Sequence, residues 1–272
     1  MKYQQLFIIL FACLTLSCSS DKKKDEKKKD EQNTERREKV KKGNSTLQRP
    51  EIVPVQHATF FMRWDQKDIY VDPVGGADAF ERFPEPDLIF ITDVHPDHLD
   101  VETLTGLGMD YTIITPQAVY KKLPESYKEI TKVMNNGEES SFYEFSVKAL
   151  PMYNTTKSRK HFHTKGRGNG YKIANGAFDL YISGDTEVTL EMRRLKSIDV
   201  ALLCMNLPYT MSFEQAIRGV MAFQPKKVIP YHYRGKKDGE TYFENVEAFK
   251  EEVESSTDIE VQLMDWYSKK NA

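Results

Sequence analysis

A mixed α/β domain is the fold class this sequence predicts, and three observations predict it. Short apolar runs rich in Val, Ile, Tyr and Phe recur along the chain, at 69–71, 88–91 and 198–205, with the length and β-branching of buried strands. Longer segments with helical apolar spacing lie between and after them, at 212–223 and 243–253. Polar clusters carrying Asp and His stand where strands end, at 92–100, 183–186 and 231–233. Strand pairs followed by strand–helix alternation are the pattern of a domain with mixed sheets and helices packed on them.

The 272 residues are 39% hydrophobic and carry a formal net charge of −2. No basic excess marks the folded part, so nucleic-acid binding has no electrostatic support. Of three cysteines, Cys13 and Cys18 fall in the leader and Cys204 stands alone in an apolar run. No intramolecular disulfide is open to the domain, and Cys204 reads as a small core residue.

Residues 1–17 read as a signal peptide: Lys2, then an apolar stretch over 6–16, shorter than the ~20 residues a membrane span needs. The ending Thr15-Leu16-Ser17-Cys18 resembles a bacterial lipoprotein box, with Cys13 as the alternative site. That resemblance implies a lipid on Cys18, a membrane partner through it, and a place in the cell envelope, on the periplasmic or outer-surface face. Residues 18–50 then form a charged, flexible tether, because a run such as Asp21 to Glu31 has no apolar surface to bury. Residues 51–272 are the folded domain.

In that domain 52–55 opens a strand, 56–64 continues as a second, 65–68 turns, and 69–71 returns to Asp72-Pro73. His57, between the first two, either lines the site or is satisfied by a neighbouring loop. Residues 75–83 are a loop or short helix. The strand 88–91 runs into Thr92-Asp93-Val94-His95-Pro96-Asp97-His98-Leu99-Asp100. Asp100 caps a helix over 101–107 that ends at Gly108. A strand over 111–114, a helix over 116–122 starting at Pro116, and strands over 130–134 and 140–152 around Asn135-Asn136-Gly137 follow. Residues 154–170 are a polar loop, longer than connections in compact domains usually are, and hence a functional candidate. It holds His161, His163, Lys165 and Arg167; the two cations suit an anionic substrate group. A hairpin over 171–182 turns at Asn175-Gly176 and delivers Ser183-Gly184-Asp185. A helix over 188–195, a strand over 198–205, a loop with Tyr209 facing a substrate, a Ser212-capped helix to 223, a strand to His232, a helix over 243–253 and a strand over 259–264 complete the order.

Asp93, His95, Asp97 and His98 are four potential metal ligands within six residues. Zinc accepts imidazole and carboxylate, and manganese or iron tolerates the same set. A helix cap needs one such residue, so the cluster asks for another explanation.

The motif resembles the His-x-His-x-Asp-His signature of the metallo-β-lactamase fold superfamily, with Asp93 in place of the first His. The branch it most resembles contains L-ascorbate-6-phosphate lactonase and N-acyl-phosphatidylethanolamine phospholipase D, over roughly residues 51–265. The resemblance implies a four-layer αββα sandwich of two mixed sheets with helices outside. It implies two adjoining cation positions: Asp93 and His95 with His163 at the first, where Asn154 or water are substitutes for His163; Asp97, His98 and His232 at the second; and Asp185 between them. It implies a metal-dependent hydrolase whose metal-bound hydroxide attacks an ester, lactone or phosphodiester, with Asp97 and Asp185 catalytic and one or two zinc, manganese or iron ions as cofactor. His57, Lys165 and Tyr209 are the substrate-side candidates, and the substrate is a small molecule or a lipid. The alternative is a lipid-anchored binding protein that keeps this fold without its chemistry.

Overall fold

The computed structural model describes residues 49–267; the leader, Cys18 and the tether up to residue 48 lie outside the described residues. The first sheet runs in the order β1 (Glu51–Gln56), β2 (Thr59–Trp64), β3 (Lys67–Val71), β4 (Leu88–Phe90), β5 (Thr112–Thr115) and β6 (Thr131–Val133). The first three strands are antiparallel and the rest parallel. Alternate residues of β2 serve two cores: Phe60, Met62 and Trp64 enter the cluster shared with the second sheet, and Phe61 enters the outer one. β4 divides likewise, Leu88 and Phe90 inward and Ile89 outward. Burial on both faces is why these strands read as continuous apolar runs. The outer face is covered by α1 (Val101–Gly106), α2 (Gln117–Tyr120) and α3 (Glu125–Lys128), through Leu104, Val119 and Tyr127. Asp100 caps α1, accepting from the amides of Glu102 and Thr103.

The second sheet contains β7 (Glu139–Phe142), β8 (Phe145–Met152), β9 (Gly168–Ala174), β10 (Asp179–Ile182), β11 (Val200–Cys204) and β12 (Lys227–Tyr231). A helical turn, α4 (Leu190–Arg193), follows β10, and α5 (Phe213–Phe223) follows β11. After β12 come a hairpin of β13 (Arg234–Lys237) and β14 (Glu240–Phe243), then α6 (Val246–Ser256) and β15 (Glu260–Val261). The order is β15-β12-β11-β10-β9-β8-β7, parallel from β15 to β10 and antiparallel beyond. Ala216, Val220, Phe223, Phe249 and Val253 bring α5 and α6 into the core of this sheet. Two mixed sheets with helices outside is the four-layer sandwich that the resemblance implies.

Several elements differ from the sequence reading. The strand expected over 140–152 is a hairpin, because Tyr143 takes a left-handed φ of 51° between β7 and β8. The helix expected over 188–195 is shorter, Leu190–Arg193, capped by Thr189, whose hydroxyl accepts from the Met192 amide. The helix expected from 243 begins at Val246, after Asn245, whose side chain accepts from the Ala248 amide; Phe243 instead closes β14. The hairpin β13–β14 turns at Asp238-Gly239, a dipeptide that suits two left-handed residues. Among the described residues no helix is long and apolar enough to cross a membrane.

Candidate metal centre

The centre lies at the C-terminal ends of parallel strands, where open α/β sheets place ligands. β4 delivers Thr92 and the 93–98 loop; β10 delivers Asp185; β11 delivers Asn206; β12 delivers His232. Three residues here, His57 (φ 50°), Asp72 (45°) and His232 (51°), adopt left-handed backbone, a conformation costly to branched or bulky residues and concentrated at functional sites.

Two glycines let β9 approach this region. A Cβ on Gly168 would lie 2.9 Å from the Thr92 carbonyl oxygen, and one on Gly170 would lie 2.8 Å from that of Ser183. The Asn169 amide donates to Thr92 O at 2.9 Å, so the end of the long loop is fastened to the start of the metal-loop sequence. Glu187 fastens the other end, accepting from the amides of Thr155 (2.8 Å) and Thr156 (2.6 Å) and pairing with Arg159.

The residues the sequence singled out meet here. Asp185 Oδ2 is 3.4 Å from His98 Nε2 and 3.2 Å from His163 Nε2, and Asp185 Oδ1 is 3.3 Å from His232 Nε2. Asp97 Oδ2 is 3.4 Å from His232 Nε2 and 3.4 Å from His57 Nε2. His95 Nδ1 is 3.0 Å and His163 Nε2 3.8 Å from Asp93 Oδ2. Asp93 with His95 and His163 forms one group of converging ligand atoms; His98 with Asp185 and His232 forms a second; His57 and Asp97 extend it from His232. His163 Nε2 and Asp185 Oδ1 are buried and have no hydrogen-bond partner despite these short distances. Ligands about 2.1 Å from a tetrahedral ion stand about 3.4 Å apart. Atoms at such spacing without donor–acceptor alignment fit a shared cation.

The far sides of four imidazoles are tied. His98 Nδ1 meets Asp72 Oδ2 at 2.8 Å, and Asp72 also accepts from the Thr92 amide (2.7 Å) and hydroxyl (2.6 Å). His163 Nδ1 donates to the Tyr209 carbonyl (3.1 Å), the Asn206 side-chain Nδ2 sits 2.9 Å from His232 Nδ1, and the Tyr267 hydroxyl sits 2.9 Å from His57 Nδ1. Such ties fix ring orientation, and where Nδ1 donates, as to Asp72 from His98 and to Tyr209 from His163, they leave Nε2 free for an ion.

Asp72, Asn206 and Tyr267 were missed by sequence reasoning. The only local sign of the first two, a place just past a strand end, is one they share with ordinary turn residues. Three candidates are placed differently from expectation. Lys165 is turned away, drawn to Glu191 at 2.7 Å and set over the Tyr153 ring at 4.7 Å. Arg167, expected to suit an anionic substrate group, faces Asp93, with Nε–Oδ1 at 3.0 Å and Nη2–Oδ2 at 2.7 Å. Asn154 falls outside the converging groups; its amide nitrogen donates to the carbonyls of Tyr209 (2.6 Å) and Arg159 (2.9 Å) and shapes the loop.

Burial alone would raise the Asp185 and Asp97 carboxyls, but the surrounding imidazoles win and hold both well below the usual carboxylate range. His98 is pushed well above its ordinary value: burial opposes this, and Asp185, Asp72 and Asp97 together overcome it. His57 falls to about 4, through burial and then the neighbouring His232. The Cys204 thiol is pushed up to about 12 by burial and then Asp185, as suits an inert core residue.

A cleft of about 320 Å³ opens over the centre, lined by His95, Asp97, Phe162, His163 and Tyr209 among others. Phe162 is shared with a second, more apolar cleft of about 620 Å³, whose walls include Leu207, Pro208 and Tyr242 and whose rim carries Lys236 and Lys237.

Residues 51–232 match the model of the beta-lactamase superfamily domain. A UPF0173 metal-dependent hydrolase of Pyrobaculum islandicum is 30% identical over 230 residues, covering 76% of this chain and 93% of the relative. One of Pyrococcus horikoshii is 29% identical over 191 residues, covering 65% and 81%. A solved structure from Parabacteroides distasonis, to which metal-dependent hydrolase activity is ascribed, superposes with a TM-score of 0.70 at 33% identity, covering 80% of this chain and 94% of its own.

Proposed function

The chain belongs to the beta-lactamase superfamily, and from that premise we propose that it is a metal-dependent hydrolase of an ester, lactone or phosphodiester. The observation that carries the reading is the convergence of His98, Asp185, His232 and Asp97 from three separated strand ends, with His163 Nε2 and Asp185 Oδ1 left buried and unpartnered. A divalent ion held there acidifies water and stabilises negative charge developing on a substrate oxygen. Zinc suits the imidazole-rich side; the Asp93 carboxylate makes manganese or iron alternatives.

Asp185 Oδ2 lies between His98 and His163 while its Oδ1 faces His232, and the ties behind these three histidines keep their rings in place. Asp97 is the more exposed carboxylate, at 41%, and faces the cleft. Held ionised, it is placed to orient a nucleophilic water. Tyr209 lines that space, His57 meets Asp97 beside it, and the adjoining apolar cleft with Lys236 and Lys237 suits a substrate with an apolar body and an anionic group. A lipid on Cys18 would bring such a site to a membrane surface; metabolic labelling with a radioactive fatty acid, lost in Cys18→Ala, tests that arrangement.

The test is a chelator-controlled screen of lactones, amides and phosphodiesters with metal-reconstituted protein and its Asp185→Ala variant. Metal-dependent turnover that falls by about 100-fold or more in the variant is the expected result. Hydrolysis by the variant as fast as the native protein would instead favour a binding protein that retains the fold without the chemistry.

A further inference from the structure

The two ligand groups are not electrostatically equivalent. Around His98 and His232 stand Asp97 and Asp185, with Asp72 behind, and the ion pairs of all three carboxylates are with histidines. Asp93 is instead engaged by a guanidinium. Arg167 grips both its oxygens, at 3.0 and 2.7 Å, in the two-pronged geometry that is the strongest arginine–carboxylate contact. The same Nη2 lies 3.2 Å from His95 Nε2 and donates to the Phe162 carbonyl. Asp93 Oδ2 already faces both Nη2 and His95 Nδ1, which leaves it little lone-pair capacity for an ion.

We propose that this protein holds a single divalent ion, on the His98–Asp185–His232 side, and that the Arg167 guanidinium supplies the fixed positive charge at the neighbouring Asp93 position. The inference rests on the metal-dependent reading above and narrows it. A guanidinium has five N–H donors and no lone pair to offer, so it cannot itself ligate a second ion. A second doubly charged ion bound by Asp93, His95 and His163 would sit within a few ångströms of that guanidinium in a largely buried setting. Coulomb repulsion at that range weakens binding by about 100-fold or more.

The placement is built into the chain. Arg167 directly precedes β9, whose first residue, Gly168, can pack against the Thr92 carbonyl only for want of a side chain, and Asn169 is bonded to the same carbonyl at 2.9 Å. Those contacts bring the Arg167 backbone alongside Asp93. Lys165, two residues earlier, points to Glu191 instead. His163, whose Nε2 is nearer Asp185 (3.2 Å) than Asp93 (3.8 Å), then serves the bound ion's side.

The experiment counts zinc and manganese per chain by elemental analysis and native mass spectrometry. The full chain is reconstituted with each metal, passed through a desalting column, and compared with Arg167→Gln, Arg167→Lys and Asp93→Asn. One equivalent is expected in the native protein, in Arg167→Lys and in Asp93→Asn. Arg167→Gln is expected to gain a second, with an affinity for it improved by about 100-fold or more. Two equivalents of similar affinity in the native protein would overturn the proposal, as would loss of the single ion in Asp93→Asn, or one equivalent in a folded Arg167→Gln. Should that variant fail to fold, the native count and the Asp93→Asn count still decide. A native protein that takes up no metal at all would remove the hydrolase reading itself, a different result from two ions.

Discussion

Asp72 and His98 face one another at 2.8 Å with both side chains fully buried, the carboxylate set against Nδ1 of an imidazole whose Nε2 looks into the metal centre. Burial drives the Asp72 carboxyl upward, and His98, then Thr92, resist that. The pair is therefore worth keeping only where both partners remain: a buried carboxylate without its imidazole is costly.

The first prediction follows from that contact. Asp72→Asn keeps the shape but offers Nδ1 a neutral partner, which loosens the ring and lowers the basicity of Nε2. Metal affinity should fall by roughly 10–100-fold, the usual cost of losing such a support, while circular dichroism stays that of the native protein. Competition against a chromophoric chelator measures it. Unchanged affinity would mean that Asp72 acts on the fold alone.

A second prediction concerns pH. His57 has its value lowered to about 4, whereas an unfolded histidine titrates near 6.5. As pH falls through 6.5 towards 4 the unfolded chain takes a proton that the folded chain refuses, so stability is lost in that window, by about 3 kcal/mol at most. The lowered carboxylates Asp97 and Asp185 act elsewhere: their contribution is whole above their unfolded value and is lost only in stronger acid. His98, raised, contributes fully below 6.5 and loses its contribution as pH rises through its folded value. Thermal melts of chelator-treated protein should therefore show His57→Gln losing less stability than the native protein between pH 6.5 and 4. Parallel curves for the two would contradict this.

Much of this centre could be read from the sequence, and the reason is positional. Asp93, His95, Asp97 and His98 share one loop, so their meeting needs no knowledge of the fold. Asp185 and His232 stand at the ends of strands that read clearly as apolar runs, and parallel neighbours put such ends on one edge. What could not be read depends on long-range approach. Arg167 looked like a free basic group because nothing local says that β9 will lie against Thr92. Asp72 and Asn206 look like ordinary turn residues until the sheets align them behind His98 and His232. The Asp238-Gly239 turn was a local signal for β13–β14, and it sits in a charged stretch where no apolar alternation marks the strands.

That hairpin supports the last prediction. Gly235, buried in β13, lies where an added Cβ would coincide with the Leu207 carbonyl oxygen, which is also the acceptor of the Lys236 amide at 3.0 Å. Backbone on both sides leaves no flexible side chain to give way. Gly235→Ala must displace the 206–209 segment, and that segment carries both Asn206, behind His232, and the Tyr209 carbonyl, behind His163. The expected outcome is a loss of about 1–3 kcal/mol in stability from overpacking, together with a metal affinity lowered by roughly 10-fold or more as the two rings lose their ties. Gly239→Ala is the matched comparison. Its φ of 85° strains an alanine, but nothing lies within 4 Å of the added carbon, so it should cost stability and leave metal affinity alone. Denaturant melts and chelator competition on the two variants separate backbone strain from damage to the centre; equal metal affinities would show that the 206–209 segment does not support the ligands.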